Sequence, residues 1–200
     1  MSPMIEIQAD KGQQARLDEL LEGIPQGAQR VLSRAVNKVG AAARTEIVRY
    51  VSSQINVGVG ELRNRNVRMT RANFRDLTAR VWVTGSRIPL SRFAASQVRR
   101  GVSYRIQRAG GRQMLAGAFL QRMPSGRLGV FARRADSSRA GGRVARYPID
   151  QRFGPSVPHV VENSAQFGQA VLDRRLGEDL ADEIDTQTEV LLAQRGRAGK

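Results

Sequence analysis

Apolar residues recur at three- and four-residue intervals through the first quarter of the chain, the spacing of a helix with one buried face. The pattern predicts a short helix over 13–22 and a long helix over 26–54, which Gly23 and Pro25 separate. Three consecutive alanines at 41–43 make the middle of the long helix thin, so we expect another element to pack closely against it.

Apolar and polar residues alternate in the middle of the chain, which is typical of strands with one buried face. We therefore expect residues 66–149 to be rich in β-structure. "PSG" at 124–126 supplies the proline and glycine of a tight turn, so the segments on either side of it are predicted to form a hairpin. The predicted strands are 77–85, 101–108, 114–122, 127–134 and 141–149.

Helical spacing returns near the C-terminus. A proline-bounded link over 154–164 is expected to lead into a long helix over about 166–195, whose apolar stripe consists of leucine and isoleucine. The opposite flank is acidic, and the sequence leaves open whether it is a solvated face or a subunit contact. The acidic residues are Glu178, Asp179, Asp182, Glu183, Asp185 and Glu189.

Helices at both ends of a β-rich middle are typical of an α+β fold and not of repeated βαβ units. We predict N-terminal helices and a long C-terminal helix packed on an antiparallel β-sheet or a small sandwich. Residues 1–165 are predicted to form the α+β domain, with its helices over 13–54. Residues 166–200 are predicted to form the C-terminal helix and a tail.

Positive charge is concentrated in the same β-rich middle. The 200-residue chain carries a formal net charge of +15, and residues 86–152 contain 15 Arg, no Lys and two Asp. Arginine forms bidentate contacts with phosphate and carboxylate groups, so both DNA and an acidic protein surface are candidate partners. There is no cysteine, no signal-like start and no apolar run of bilayer length, so we expect a soluble protein made in the cytoplasm and no membrane partner.

Catalytic chemistry is poorly supported by the residue types present. His159 is the only histidine, and we interpret it as a partly packed linker residue. No nucleophile elbow, phosphate-binding loop or dinucleotide fingerprint has the required spacing. We therefore predict no enzyme, no cofactor and no metal site.

Arginine-bearing loops are the candidate binding residues. "RAGGR" occurs at 108–112 and again at 139–143, and we interpret both stretches as basic connectors that each lead into a β-segment. Their arginines are expected to contact either DNA phosphates or acidic residues of a neighbouring subunit, and to contribute little to the core. We expect reversal of the RAGGR arginines to glutamate to leave the fold intact. The candidate contact residues are Arg105, Arg108, Arg112, Arg133, Arg134, Arg139 and Arg143.

The order of several short segments resembles a known phage family. "RAVNKVGAAARTEI" (34–47) is followed by "RIPLSRF" (87–93), "GVSYRI" (101–106), "GAFLQRMPSGRLGVFAR" (117–133) and "RYPID" (146–150). This series resembles the minor tail protein Z family of lambda-like tailed bacteriophages, the tail-completion proteins. The acidic C-terminal helix and the absence of lysine from the middle are departures from the relatives.

The resemblance implies a structural virion protein of the tail or neck, assembled in the bacterial cytoplasm. It implies action at the head-proximal end of the tail, where a ring, commonly six-fold, would surround the DNA channel. The implied partners are other copies of the chain, the tail terminator and tail tube, the neck or connector proteins, and genomic DNA. The alternatives are a nonspecific DNA-binding protein that uses the arginine-rich middle, and a small hydrolase that uses His159.

Overall fold

The computed structural model describes residues 4–133, 139–140, 143–144, 149–162 and 178–198. Its helices are α1 (Lys11–Leu20), α2 (Gly27–Gln54), α3 (Val59–Glu61), α4 (Val157–Glu162) and α5 (Glu178–Ala198), with a π-helical turn (Leu62–Asn66) and a 3₁₀ turn (Leu90–Arg92). Its strands are β1 (Met4–Ile7), β2 (Val67–Thr70), β3 (Ala79–Val83), β4 (Arg87–Pro89), β5 (Ser96–Val98), β6 (Gly101–Tyr104), β7 (Gln113–Ala116), β8 (Ala118–Arg122), β9 (Leu128–Arg133), β10 (Arg139–Ala140), β11 (Arg143–Val144), β12 (Ile149–Gln151) and β13 (Phe153–Ser156).

The two N-terminal helices form close to where the apolar spacing predicts them. Helix α1 begins two residues early because Asp10 and Gln13 form a capping box: the Asp10 carboxylate accepts from the backbone N of Gln13 at 2.7 Å, and the Gln13 amide oxygen accepts from the backbone N of Asp10 at 3.1 Å. Helix α2 ends at Gln54, as predicted.

The first sheet has the strand order β1–β3–β2, and α2 packs against one of its faces. Gly40 makes this close approach feasible, because a Cβ there would lie only 2.7 Å from the Met69 Cε and 3.3 Å from the Ala79 Cβ. The alternation predicted for 77–85 is confirmed over β3, whose Ala79, Val81 and Val83 are buried.

Two further three-stranded antiparallel sheets, β5–β6–β7 and β12–β9–β8, share the core at the C-terminal half of α2. The β8–β9 hairpin is confirmed, and Gly126 occupies its turn with a positive φ of 77°. The prediction of one continuous strand over 114–122 is wrong. Gly117, with a φ of 69°, breaks the chain into β7 and β8, so that it passes from one sheet to the other.

The predicted link over 154–164 is wrong for its described residues, 154–162. Strand β13 pairs with β4 in a two-stranded sheet, and α4 follows without a gap. Both prolines are compatible with this structure, because Pro155 lies in a two-stranded sheet with irregular register and Pro158 lies in the first turn of α4. His159 is therefore a helical residue, not a linker residue.

The long C-terminal helix is confirmed over its described part and packs against α2. Leu180, Ile184 and Leu191 are buried in a second core with α1 and the N-terminal half of α2. Residues 166–177 of the predicted helix lie outside the described residues. The α+β class is confirmed, and the described strands divide into antiparallel sheets of two or three strands.

Strand pairing near the C-terminal end of the β-region is more fragmented than predicted. The segment predicted as one strand over 141–149 contains β11, which pairs with β10, and the first residue of β12, which pairs with β9. The other residues of that segment lie outside the described structure. Strands β1, β2, β4 and β5, of three or four residues each, were not predicted.

Candidate interaction surfaces

Arg108, in the first RAGGR stretch, binds the C-terminal end of α2. Its Nε donates to the Ser52 carbonyl at 2.7 Å, its Nη2 to the Ser52 hydroxyl at 3.4 Å, and its backbone N to the Gln54 carbonyl at 3.0 Å. The last carbonyls of a helix lack intrahelical partners and carry partial negative charge, so a guanidinium there caps the helix.

Arg112, at the end of the same stretch, binds the β5–β6 region. Its Nε donates to the Ser103 hydroxyl at 2.8 Å, and its Nη2 donates to the Ala94 carbonyl at 2.9 Å and the Ser96 hydroxyl at 3.1 Å. Arg108 and Arg112 lie outside the core, but they are not free loop arginines, because their guanidinium groups join separate segments of the chain.

We expect Arg108→Ala to destabilise the protein by about 1–2 kcal/mol, because two charge-assisted hydrogen bonds to the end of α2 are lost. Arg108→Lys should retain part of the stability, since an ammonium supplies charge but no planar fork. Urea denaturation followed by circular dichroism measures both. Equal stability of wild type and Arg108→Ala would contradict the capping role.

The other candidate arginines lie in different environments. Arg105 is half-buried, and its Nε has no hydrogen-bond partner among the described residues. Arg133 is exposed at the end of β9, with its Cζ 5.9 Å from the ring centroid of Phe119. Arg139 and Arg143 belong to the paired strands β10 and β11, and Arg134 lies outside the described residues. Contacts of these arginines with DNA or other subunits stay a prediction.

A basic surface that the sequence analysis missed runs along β2. Exposed arginines occur at 63, 65, 68, 71 and 75. Half-buried Arg44 lies beside them, and its guanidinium donates to the carbonyls of Val67, at 3.0 Å, and Arg63. Burial lowers the pKa of Arg44, and the nearby charges of Arg63 and Arg71 lower it further. The arginines of "RNRNVRMTRANFR" (63–75) are visible in the sequence. They do not stand out when net charge is counted over the first 85 residues together, because that segment as a whole is only weakly basic.

The face of the first sheet that points away from α2 combines aromatic, apolar and charged groups. Arg68, half-buried Trp82 and exposed Met4 are paired across its three strands. In the adjacent positions Arg80 forms salt bridges with Glu6 at 2.8 Å and with Asp76 at 2.9 Å. The hydrogen bond from Arg80 lowers the pKa of Asp76.

Helix α5 presents an acidic stripe, which we define as Glu178, Asp182, Asp185 and Glu189. Steps of four, three and four residues place these carboxylates on one side of a helix, and all four are exposed. The opposite side is buried against α2, where Glu183 forms a 2.7 Å salt bridge with Lys38.

A cleft of about 590 Å³ lies at the C-terminal end of α2. Exposed His159, Gln54 and Gln107 line this cleft with half-buried Tyr50. Within the described ranges, no group of three His, Cys, Asp or Glu side chains is placed to hold a metal ion, and no helix is both long and apolar enough to cross a membrane.

The comparison with protein families matches residues 11–194 to prophage minor tail protein Z. The chain belongs to this family. The resemblance noted in the sequence is thereby confirmed, and the family places the protein among structural components of phage tails and hence of the virion. Neither a curated protein nor a solved structure matches the chain.

Two of the segments that carry the family resemblance contribute to the core of the protein. In "RIPLSRF", Ile88, Leu90 and Phe93 are buried, and Ala118 and Val130 of the β8–β9 hairpin are buried with them. The exposed arginines along β2 and the acidic stripe of α5 lie outside these segments, whereas Arg44 lies within "RAVNKVGAAARTEI".

Proposed function

We propose that the protein completes the phage tail at its head-proximal end, as a ring of identical subunits around the DNA channel. The observation that carries this proposal is the family match over 11–194. A net charge of +15 supports it, because a positive surface attracts the phosphate backbone without reading its sequence.

Separation of charge within the subunit also favours a ring. The acidic stripe lies on α5, whereas the arginines of 63–75 lie along β2. Unlike surfaces on one subunit suit heterologous contacts, which produce a closed ring when the rotation between neighbours closes. The tail terminator or tail tube on one side and the neck or connector proteins on the other are the proposed partners.

Complementation of phage that lack this protein tests the proposed function. Purified protein added to an extract of such phage should convert inactive tails into tails that join filled heads, and light scattering of the assembled material should reveal a multimer. Tails that join heads equally well without the protein would contradict tail completion.

A nonspecific DNA-binding protein is the second candidate function, which the exposed arginines of 63–75 favour. In that case the affinity of the isolated protein for DNA should fall steeply with salt, because each phosphate contact releases counterions. A flat salt response would exclude this alternative.

We expect His159→Ala to leave tail completion and head joining unchanged. His159 is exposed on α4, and a structural tail protein requires no general base. Counting infectious particles after complementation with the variant measures this. A large loss of infectivity with a folded variant would revive the hydrolase hypothesis.

A further inference from the structure

One side of helix α2 carries a row of polar and basic residues. Arg34, Asn37, Ala41 and Arg44 follow one another at steps of three, four and three residues, so they lie along one side of the helix. Arg34 is exposed, and the other three are half-buried. The row extends over about 15 Å of the helix axis, since each residue adds roughly 1.5 Å.

Arg44 joins this side of α2 to the start of β2. Its Nε donates to the Val67 carbonyl at 3.0 Å, and its Nη2 donates to the Arg63 carbonyl. Its Nη1 forms no hydrogen bond with a described residue, so two of its N–H groups stay available to another acceptor. Because its own chain already holds this guanidinium in place, little conformational entropy is lost when it binds a ligand.

Asn37 joins the same side of α2 to the end of β2. Its amide donates to the Ala72 carbonyl at 2.9 Å and accepts from the Ala72 backbone N at 2.8 Å. The chain on either side of β2 therefore runs antiparallel to α2. It starts at Arg63, which is bound to Arg44, and ends at Arg71, which precedes Ala72.

The arginines of these two segments form a concentration of positive charge, which we call the α2–β2 arginine cluster and define as Arg34, Arg44, Arg63 and Arg71. None of them forms a salt bridge with a described carboxylate. Burial lowers the pKa of Arg44, and the charges of Arg63 and Arg71 lower it further. These three positive charges are therefore close enough to repel one another, and a bound anion would relieve the repulsion.

We propose that the α2–β2 arginine cluster binds phosphate groups of the DNA backbone and is the side of the subunit that faces the DNA channel. The inference rests on the proposed ring and names its DNA-binding surface. A guanidinium can bind a phosphate group through two parallel hydrogen bonds. The length of the cluster, about 15 Å along α2, corresponds to roughly four base-pair steps of 3.4 Å along one DNA strand.

The acidic stripe does not oppose this contact, because α5 lies on the other side of α2. Asp182 and Ala42 meet at the junction of the two helices. Successive helical residues are about 100° apart, so residues 42 and 44 point about 160° away from each other. Phosphates that approach the cluster therefore do not meet the carboxylates of α5.

DNA fits the cluster better than another protein surface does. Between Arg34 and Arg44, the same side of α2 carries Asn37 and Ala41. Neither residue supplies the large aromatic or apolar anchor that dominates protein–protein binding energy. Contacts with a phosphate backbone require only positive charge and hydrogen-bond donors, and the cluster supplies both.

Two neighbouring arginines are excluded from the cluster by the fold. Arg65 forms a salt bridge with Glu61 at 3.4 Å. Arg68 alternates along β2 with buried Val67, so it lies on the face of the first sheet that points away from α2. Both arginines therefore stay available for contacts between subunits.

Neutralising exposed Arg63 and Arg71 tests the inference. Arg63→Gln with Arg71→Gln should weaken the binding of the full-length protein to a labelled DNA duplex by about tenfold or more at about 0.1 M salt. The slope of log affinity against log salt concentration should become shallower by about 2, since each lost phosphate contact removes about 0.9. Fluorescence anisotropy at several salt concentrations measures both quantities.

A matched control separates the cluster from total charge. Arg99→Gln with Arg127→Gln removes the same charge at exposed positions of the arginine-rich middle and should change DNA affinity by less than about twofold. Arg63→Lys with Arg71→Lys should retain most of the affinity, because an ammonium also binds phosphate. An equal loss of affinity in the two glutamine variants would overturn the inference.

Light scattering and tail complementation separate this inference from the proposed function. The Arg63→Gln, Arg71→Gln protein should still form the multimer while it binds DNA weakly. Unchanged DNA affinity in this variant, or a wild-type protein that does not bind DNA, would overturn the inference and leave tail completion intact. Loss of the multimer with unchanged DNA affinity would assign the cluster to a subunit contact and also overturn it. A wild-type protein that binds DNA through the cluster but does not complete tails would confirm the phosphate site and overturn the proposed function.

Discussion

Replacing Gly101 by alanine is expected to destabilise the protein by about 3 kcal/mol or more, the largest effect of any single methyl group considered for this chain. Gly101 begins β6 with a φ of 153°, between β5 and β7. A Cβ at this position would lie 2.1 Å from the Leu115 carbonyl oxygen and 3.0 Å from the Ala116 Cα. Both are backbone atoms, so the sheet has to separate to accommodate the methyl group.

Two neighbouring glycines provide matched controls for Gly101→Ala. Gly117 has a positive φ of 69° but open space around its Cβ position, so Gly117→Ala should cost only the roughly 1–2 kcal/mol of a left-handed residue. Gly111 has open space and no positive φ, so Gly111→Ala should change stability by less than about 0.5 kcal/mol. Urea denaturation ranks the three variants. A Gly101→Ala protein as stable as Gly111→Ala would contradict the close packing of β6 and β7.

The second large effect is expected for Phe93→Ala, which should destabilise the protein by about 3–5 kcal/mol. Phe93 is fully buried in the core at the C-terminal half of α2, and its carbonyl accepts from the backbone N of Arg105 at 3.0 Å. Its ring also contacts Gly154 so closely that a Cβ there would lie 2.4 Å from the Phe93 Cε2.

The contact between Phe93 and Gly154 can be tested by a double-mutant cycle. Gly154→Ala alone should destabilise the protein by about 1–3 kcal/mol through overpacking. Combined with Phe93→Leu, which removes the ring, Gly154→Ala should cost less than it does alone. Strictly additive losses in this double-mutant cycle would show that residues 93 and 154 do not pack together.

The helices could be predicted because their apolar spacing repeats over many residues. Helix α2 has 28 residues with regularly spaced apolar positions, so a few irregular positions do not obscure its pattern. The short strands were much harder to predict: β4 and β5 have three residues each, and pairing with distant strands defines them rather than local alternation. The break at Gly117 was hard to predict for the same reason. Its positive φ arises because the chain passes there from one sheet to another, and that arrangement depends on distant strands.

The candidate binding residues were predicted from composition, which does not reveal what a side chain contacts. Arg108 and Arg112 have the same sequence context as free loop arginines, yet both are bound to backbone carbonyls of their own chain. By contrast, the arginines near β2 lie in a less basic part of the sequence, and the fold places one of them, Arg68, beside Trp82. The acidic flank was visible in the sequence, and the structure shows which four carboxylates form its outer side.

Localisation within the virion is the measurement that tests tail completion most directly. Gly58 has open space around its Cβ position, so Gly58→Cys offers a unique thiol for a gold label on the purified protein. Labelled protein that has complemented defective phage should appear by electron microscopy at the head-proximal end of the tail, at the junction with the head. Label at the distal tip or along the whole tail, or its absence from infectious particles, would contradict the account.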